Sequence, residues 1–533
     1  MSLRLARAKR RREERAAEQE RRREARAAQR QRREAAAAVP PSRGFVRRGA
    51  GGETYITPPG MFRGTTMQSC GFWPWVIGSP APLNAVPLGA DTRTHTVVCG
   101  DPISYFNSGQ GIIKNPSLFV LGLPGFGKSS LIARMIVGLF AFGVLPMVLG
   151  DIRPDYVELI RALGGQVISL GPGAGSINIL DASEAQRAAE RLPAEDREAL
   201  LAEWHDRRVT LVAALVTIGR RTPPSDREEH LISTAIALLD ERFEGTPTLH
   251  DLIELIEQAP EPLRVIAMDR GDEHRYRDQV ENLLASLRAL VGDPKSGSVF
   301  GRQTSDPIRR DRPVVIDISG VTDSAKGLQA AILTACWGVG LGLIELSQTL
   351  ADRGLEPRRH YLAVIDELHR ALRVSKGMVE RIDLLTRLNR SQGVGLVLCT
   401  HTMADLEILP DEEDRKAARG FVERCGMVAL AALPPREIPY LAEVVHLSRA
   451  EQELLHQWRT PESWTTELVS DDAGANREDQ VPHGLGKFLL KVGDRPGLPV
   501  QVALRRIERE LHNTNKRWHE REQDARQARE ALA

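Results

Sequence analysis

Ser117-Leu118-Phe119-Val120-Leu121-Gly122-Leu123-Pro124-Gly125-Phe126-Gly127-Lys128-Ser129-Ser130 is the stretch on which the fold turns. Ser117–Gly122 reads as a buried strand and Lys128–Phe142 as a helix. Between them, Gly122–Ser129 is a complete G-x-x-x-x-G-K-[ST] loop. Its glycines let backbone N–H groups turn inward and surround phosphate oxygens, where side chains would obstruct them. The helix that follows points its positive end at the same anion. Gly122, Pro124, Gly125, Phe126, Gly127, Lys128, Ser129 and Ser130 are therefore the candidate nucleotide-binding residues. Lys128 reaches the β- and γ-phosphates, and the Ser129 hydroxyl holds Mg²⁺.

The same rhythm continues on both sides of the loop. Leu145–Gly150 and Gln166–Leu170 read as strands, with a short helix at Tyr156–Leu163. Strands alternating with helices predict an α/β core, a mainly parallel sheet covered by helices on both faces, in the RecA-like P-loop manner. After Gly171–Gly175 the strand signal stops. Ser183–Leu192, Glu195–Gly219 and Tyr276–Leu290 carry helical periods, so residues 182–310 read as an α-helical insertion between core parts 115–181 and 311–504. Strands return at Pro313–Ile318, Tyr361–Asp366, Gly395–Thr400 and Met427–Leu430. Gly486–Val492 and Leu498–Leu504 form a hairpin around Gly493–Gly497, and residues 505–533 a charged helix. Upstream, residues 44–114 read as a small β-rich element with strands at Phe72–Val76 and Thr94–Val98, where Trp73 and Trp75 are expected to serve packing in preference to the competing reading of a base-stacking platform.

A phosphate loop needs an acid on a neighbouring strand to hold the metal. Tyr361-Leu362-Ala363-Val364-Ile365-Asp366-Glu367 supplies an apolar strand ending in two acids. Asp366 is the candidate Mg²⁺ holder, and Glu367 the candidate base that polarises the attacking water. The next strand ends in Thr400-His401, candidate γ-phosphate sensors if that strand adjoins the loop strand; a plain strand terminus is the competing reading. Metal binding by His401 is not expected, because no partner stands at ligand spacing nearby in sequence. Arg387 and Arg390 close the preceding helix. Arg390 is the preferred arginine finger for a neighbouring subunit's γ-phosphate, against the ordinary reading of a cation at a helix C-terminus.

Composition narrows the classes. The chain has 533 residues, 42% hydrophobic and 27% charged, which suits a large buried core and excludes collagen-like and bulk-disordered classes. Its five cysteines are scattered with no C-x-x-C pair, which excludes a disulfide framework. Residues 1–38 hold 14 Lys/Arg against 6 Asp/Glu, so of the formal net charge of +1 the tail carries +8 and the rest −7. Residues 1–43 therefore form a basic arm and linker, either a solubilising tail or a contact for nucleic acid or anionic lipid. Neither Met135–Gly150 nor Ala330–Leu346 is long enough to span a bilayer, which needs about 20 apolar residues. The N-terminus lacks the apolar region of a signal peptide.

The motifs together resemble the type IV secretion and conjugation ATPases of the HerA–FtsK superfamily, the TraC-type motor group. The specific likeness lies in Val148-Leu149-Gly150-Asp151-Ile152-Arg153-Pro154-Asp155-Tyr156, then Leu163-Gly164-Gly165-Gln166-Val167-Ile168, then Ile177-Asn178-Ile179-Leu180-Asp181. That group shows D-P-x-x-E-Y, L-G-G-x-V-I and N-P-L-D in this order, and the resemblance covers about residues 85–505. It implies an ATP- and Mg²⁺-dependent homohexameric ring on the cytoplasmic face of membrane-embedded channel proteins, with nucleotide between subunits. It also implies departures: many members carry Thr-Gln where this chain has Thr400-His401, and a longer N-terminal docking domain. A DNA-pumping translocase of the same superfamily is the alternative, with DNA held by the arm and by pore cations such as Arg220, Arg221 and Arg302. A scaffold that binds ATP without turnover is the third reading, and Glu367 speaks against it.

Overall fold

The computed structural model describes residues 18, 20–29, 82–109, 111–372, 379, 389–390, 393–407, 409, 412–459 and 484–511. The chain divides into two compact units, residues 1–76 and 77–533. In the first, residues 20–29 are helical and exposed. The strand expected at Phe72–Val76, with Trp73 and Trp75, lies outside the described residues.

The second unit opens with β1 (Pro87–Asp91), β2 (Val97–Cys99) and α1 (Pro102–Asn107). The phosphate-loop strand is β3 (Ser117–Leu121) and its helix α2 (Lys128–Ala141). Next come β4 (Val144–Asp151), α3 (Val157–Ala162) and β5 (Gln166–Ser169). Seven helices follow: α4 (Ser183–Ala189), α5 (Ala194–Arg220), α6 (Asp226–Arg242), α7 (Leu249–Glu257), α8 (Glu261–Ala267), α9 (Glu273–Gly292) and α10 (Ser296–Phe300). The α/β alternation resumes with β6 (Val314–Asp317), α11 (Lys326–Asp352), β7 (His360–Ile365), α12 (Leu368–Leu372) and β8 (Val394–Thr400). It ends with α13 (Ala404–Glu407), α14 (Glu412–Arg424), β9 (Met427–Leu430), α15 (Glu437–Ala442), α16 (Arg449–Gln457), β10 (Lys487–Lys491), β11 (Leu498–Val502) and α17 (Arg506–Leu511).

These strands form one 11-stranded sheet in the order β2-β1-β11-β10-β9-β3-β8-β7-β4-β6-β5. From β9 to β5 every pairing is parallel, and β10, β11, β1 and β2 extend that sheet by antiparallel pairing. Parallel strands buried on both faces need continuous apolar runs, and side chains alternate between faces with period two. Phe119, Leu121, Tyr361, Ala363, Ile365, Leu396 and Leu398 enter the core shared with the helical segment. Leu118, Val120, Leu362, Val364, Val397 and Cys399 enter the opposite core, against α2 and α3.

The apolar run Ala330–Leu346 sits inside the longer α11, long and apolar enough by length and composition to cross a membrane. It is buried along nearly its whole length inside the fold. Its glycines explain how: a Cβ on Gly340 would meet Leu149 of β4 at 2.5 Å, and one on Gly338 would meet Leu211 of α5 at 2.5 Å. α11 thus lies between the sheet and the helical layer.

Candidate nucleotide-binding site

The phosphate loop leaves β3 at Gly122, where a Cβ would meet Ala431 at 2.5 Å. Gly125 and Gly127 take φ of 83° and 89°, a left-handed backbone that side chains rarely adopt. Gly127 is the N-cap of α2 and no side chain caps that helix, so its first amides remain available to an anion. Gly486, at the start of β10, donates its amide to Phe126 O at 3.1 Å and braces the loop from behind. Pro124 and Gly125 are exposed, while Phe126, Ser129 and Ser130 are half-buried.

Lys128 is buried, and its Nζ donates to Gly122 O (2.8 Å) and Leu123 O (3.2 Å). The same Nζ lies 2.9 Å from His401 Nδ1. An ammonium can only donate, so Nδ1 accepts and a neutral ring carries its proton on Nε2. That nitrogen faces Glu367 Oε2 at 3.1 Å. Lys128, His401 and Glu367 form a continuous polar chain from phosphate loop to acid.

β8 lies directly beside β3, with Thr400 paired to Leu121, as the sensor reading requires. Thr400 is buried, and its Oγ1 has no hydrogen-bond partner. A buried hydroxyl left open at the end of the loop's neighbouring strand fits a phosphate oxygen. One expectation needs correction. The acid strand β7 is not the neighbour of β3, because β8 stands between them. An acid reaching past the intervening strand, with a polar sensor on that strand, still converges on the loop.

Asp366 and Glu367 follow directly on β7. Asp366 Oδ2 accepts from the Tyr156 hydroxyl at 2.8 Å, and Asp366 Oδ1 from the Glu367 amide at 2.8 Å. Sequence reading did not assign Tyr156 this role, although it belongs to the acidic segment that carries the family resemblance. Asp151, at the end of β4, accepts from the Tyr156 amide at 2.9 Å and fixes that turn. Burial pushes the Asp151 carboxyl well above the usual range, against the pull of the Tyr156 amide. Glu367 has a left-handed backbone, φ 54°, a conformation that costs a non-glycine residue about 1–3 kcal/mol and aims its carboxylate at His401. Burial pushes the Glu367 carboxyl up; the His401 contact and the electrostatic pull of the surrounding His401, His369 and Arg153 side chains outweigh it and bring it down to about 2.

A second correction concerns His401. No partner stands near it in sequence, but Ile365 pairs with Leu398, so the ends of β7 and β8 come level. Glu367 and His369 consequently meet His401 in space. The usable sequence signal was His369, three residues beyond Asp366 at the start of α12. Arg390 is elsewhere: it precedes β8 at the opposite end of the strand, exposed, with its guanidinium 5.8 Å from the Phe106 ring. β8 has 7 residues and spans about 23 Å, and Arg390 precedes its start while the phosphate loop lies beside its end. Arg387 lies outside the described residues. Of the suggested pore cations, Arg220 is committed to Glu228 at 2.7 and 2.8 Å, while Arg221 and Arg302 are exposed.

A glycine loop opening α2, a strand ending in Thr400-His401 beside it and an acid strand one further on define a RecA-like P-loop nucleotide-binding fold. The chain is similar in structure to VirB4 of Thermoanaerobacter pseudethanolicus, at 16% identity, covering 80% of this chain and 98% of that one with a TM-score of 0.58. A weaker likeness, 13% identical with a TM-score of 0.44, covers 73% of this chain and 85% of the plasmid coupling protein TrwB in complex with ADP and Mg²⁺. No protein-family model and no curated protein matches the chain.

Proposed function

We propose that this chain is an ATP-hydrolysing motor that energises a conjugative or type IV secretion apparatus. The observation that carries the reading is the Lys128–His401–Glu367 chain, which supports it by setting a carboxylate beside the phosphate loop. The sequence resemblance to secretion ATPases and the fold shared with VirB4 support the choice of apparatus.

ATP would lie on the loop from Gly122 to Ser130, its phosphates against the open amides of α2. Mg²⁺, held by Ser129 and by Asp366 directly or through water, would neutralise charge on the phosphates. Lys128 exchanges its own loop carbonyls and His401 for phosphate oxygens, and the Thr400 hydroxyl reports the γ-phosphate. Glu367, its carboxyl held ionised, accepts the proton of the attacking water, giving ADP and phosphate. Tyr156 keeps Asp366 oriented. Arg390 is too far to serve its own nucleotide and is suited to a neighbour's in a hexameric ring. The 182–310 segment is proposed as the inserted helical domain, and the ring as a cytoplasmic assembly against membrane-embedded channel proteins.

A DNA-pumping translocase is the second reading, favoured by the basic arm of residues 1–38. Removing that arm separates the two. Loss of DNA affinity and of its salt dependence marks the arm as a DNA contact, and unchanged binding marks it as a solubilising tail.

A further inference from the structure

We propose that Glu367, His369 and His401 form a binding site for a divalent transition-metal ion of the Zn²⁺ class, and that the ion switches the motor off. One potential ligand atom from each residue lies within 4.8 Å of the other two. Glu367 Oε2 is 3.1 Å from His401 Nε2 and 3.4 Å from His369 Nδ1. A tetrahedral site with bonds of about 2.1 Å has ligand edges of about 3.4 Å, so two edges already have the right length. The two rings stand 5.2 Å apart and tilted by 47°, which lets both turn a nitrogen toward one point. All three side chains are largely but not wholly covered, 11–22% exposed, which leaves an approach for an ion and a position for water.

The donor set decides the metal. Two imidazoles with one carboxylate suit Zn²⁺, Co²⁺ or Fe²⁺, whereas Mg²⁺ takes oxygen ligands and keeps its waters. The site is therefore distinct from the Mg²⁺ position at Ser129 and Asp366. Its effect follows from proton bookkeeping. With the metal on Nε2, a neutral His401 ring must carry its proton on Nδ1 and can no longer accept from Lys128. The same ion would draw on Glu367 Oε2 and lower the basicity of the whole carboxylate, which is the proposed base. Metal binding and proton abstraction by Glu367 are therefore mutually exclusive.

Binding is independent of the proposed function; inhibition rests on it. The test titrates Co²⁺ into untagged full-length protein without nucleotide and follows visible d–d absorption. The proposal requires saturation at one Co²⁺ per chain, retention of the bands in H360A, and their loss in both H369A and H401A. No bands in the wild type, or bands that persist in both histidine variants, would overturn it. Should a variant unfold, Zn²⁺ protection of His369 and His401 from diethyl pyrocarbonate, mapped by mass spectrometry in the wild type, reads the same site. Unprotected histidines refute it. MgATP turnover should then fall in proportion to Co²⁺ occupancy. Turnover unaffected at full occupancy refutes the inhibitory half alone, whereas a protein that binds Co²⁺ but has no turnover without it refutes the ATPase reading instead.

Discussion

Two residues at the site are held by others, and each arrangement makes a prediction. Glu367 pairs an unfavourable backbone conformation with a carboxylate aimed at His401. Glu367→Gln keeps size and shape but removes the proposed base, so turnover should fall on the order of 100-fold or more while nucleotide affinity persists. Single-turnover hydrolysis beside fluorescent-nucleotide binding distinguishes this from a folding defect, which would lower both. Tyr156 reaches Asp366 only through its hydroxyl. Tyr156→Phe should therefore raise the Mg²⁺ concentration for half-maximal turnover by about tenfold, the usual scale for a partner that orients a metal ligand. An unchanged Mg²⁺ titration would mean that Asp366 needs no such support. The phosphate loop and the acid pair were legible in sequence because their residues are contiguous. Tyr156 and His369 were not, because their contacts depend on strand order, which sets β4 beside β7 and β7 beside β8.

Among the elements, the helical segment is joined at one corner by charge. Arg220 ends α5, and its guanidinium takes both oxygens of Glu228, which also closes the capping box of α6 with Ser225. The Arg220 hydrogen bond, helped by Ser225 against the cost of burial, brings the Glu228 carboxyl down to about 2. A carboxyl whose pKa is depressed by folding stabilises above its ordinary value of 4.5, and that contribution fades as pH falls toward 2. Glu228→Gln should cost about 1 kcal/mol at neutral pH. The difference in melting temperature from wild type should shrink steadily below pH 4.5; a difference constant with pH would assign the loss to shape and not to charge. α11 tests packing instead. Gly338→Leu forces a side chain into Leu211 and should destabilise by about 2 kcal/mol in a denaturant titration. Strand and helix positions were readable from apolar period, and β3, β8 and β9 fall within a residue or so of their expected ends. The close helix contacts were not readable, since nothing in a glycine's identity says which neighbour approaches it.

At the scale of the whole molecule, seven strands in parallel register carry the loop, Thr400-His401 and the acids to one edge, while Arg390 stands at the other. Under the proposed function, a ring of identical subunits would bring the Arg390 end of one chain to the phosphate-loop end of the next. Arg390→Ala should therefore depress turnover steeply, and mixing it with Lys128→Ala subunits should restore part of the activity; mixtures no better than either variant alone would place the arginine outside the site. The most direct test is ATP turnover by the purified chain, with Lys128→Ala and Glu367→Gln beside it and with DNA added or withheld. Turnover abolished by both substitutions and indifferent to DNA is the result predicted for a secretion motor. Turnover that survives Glu367→Gln, or depends on DNA, would contradict it.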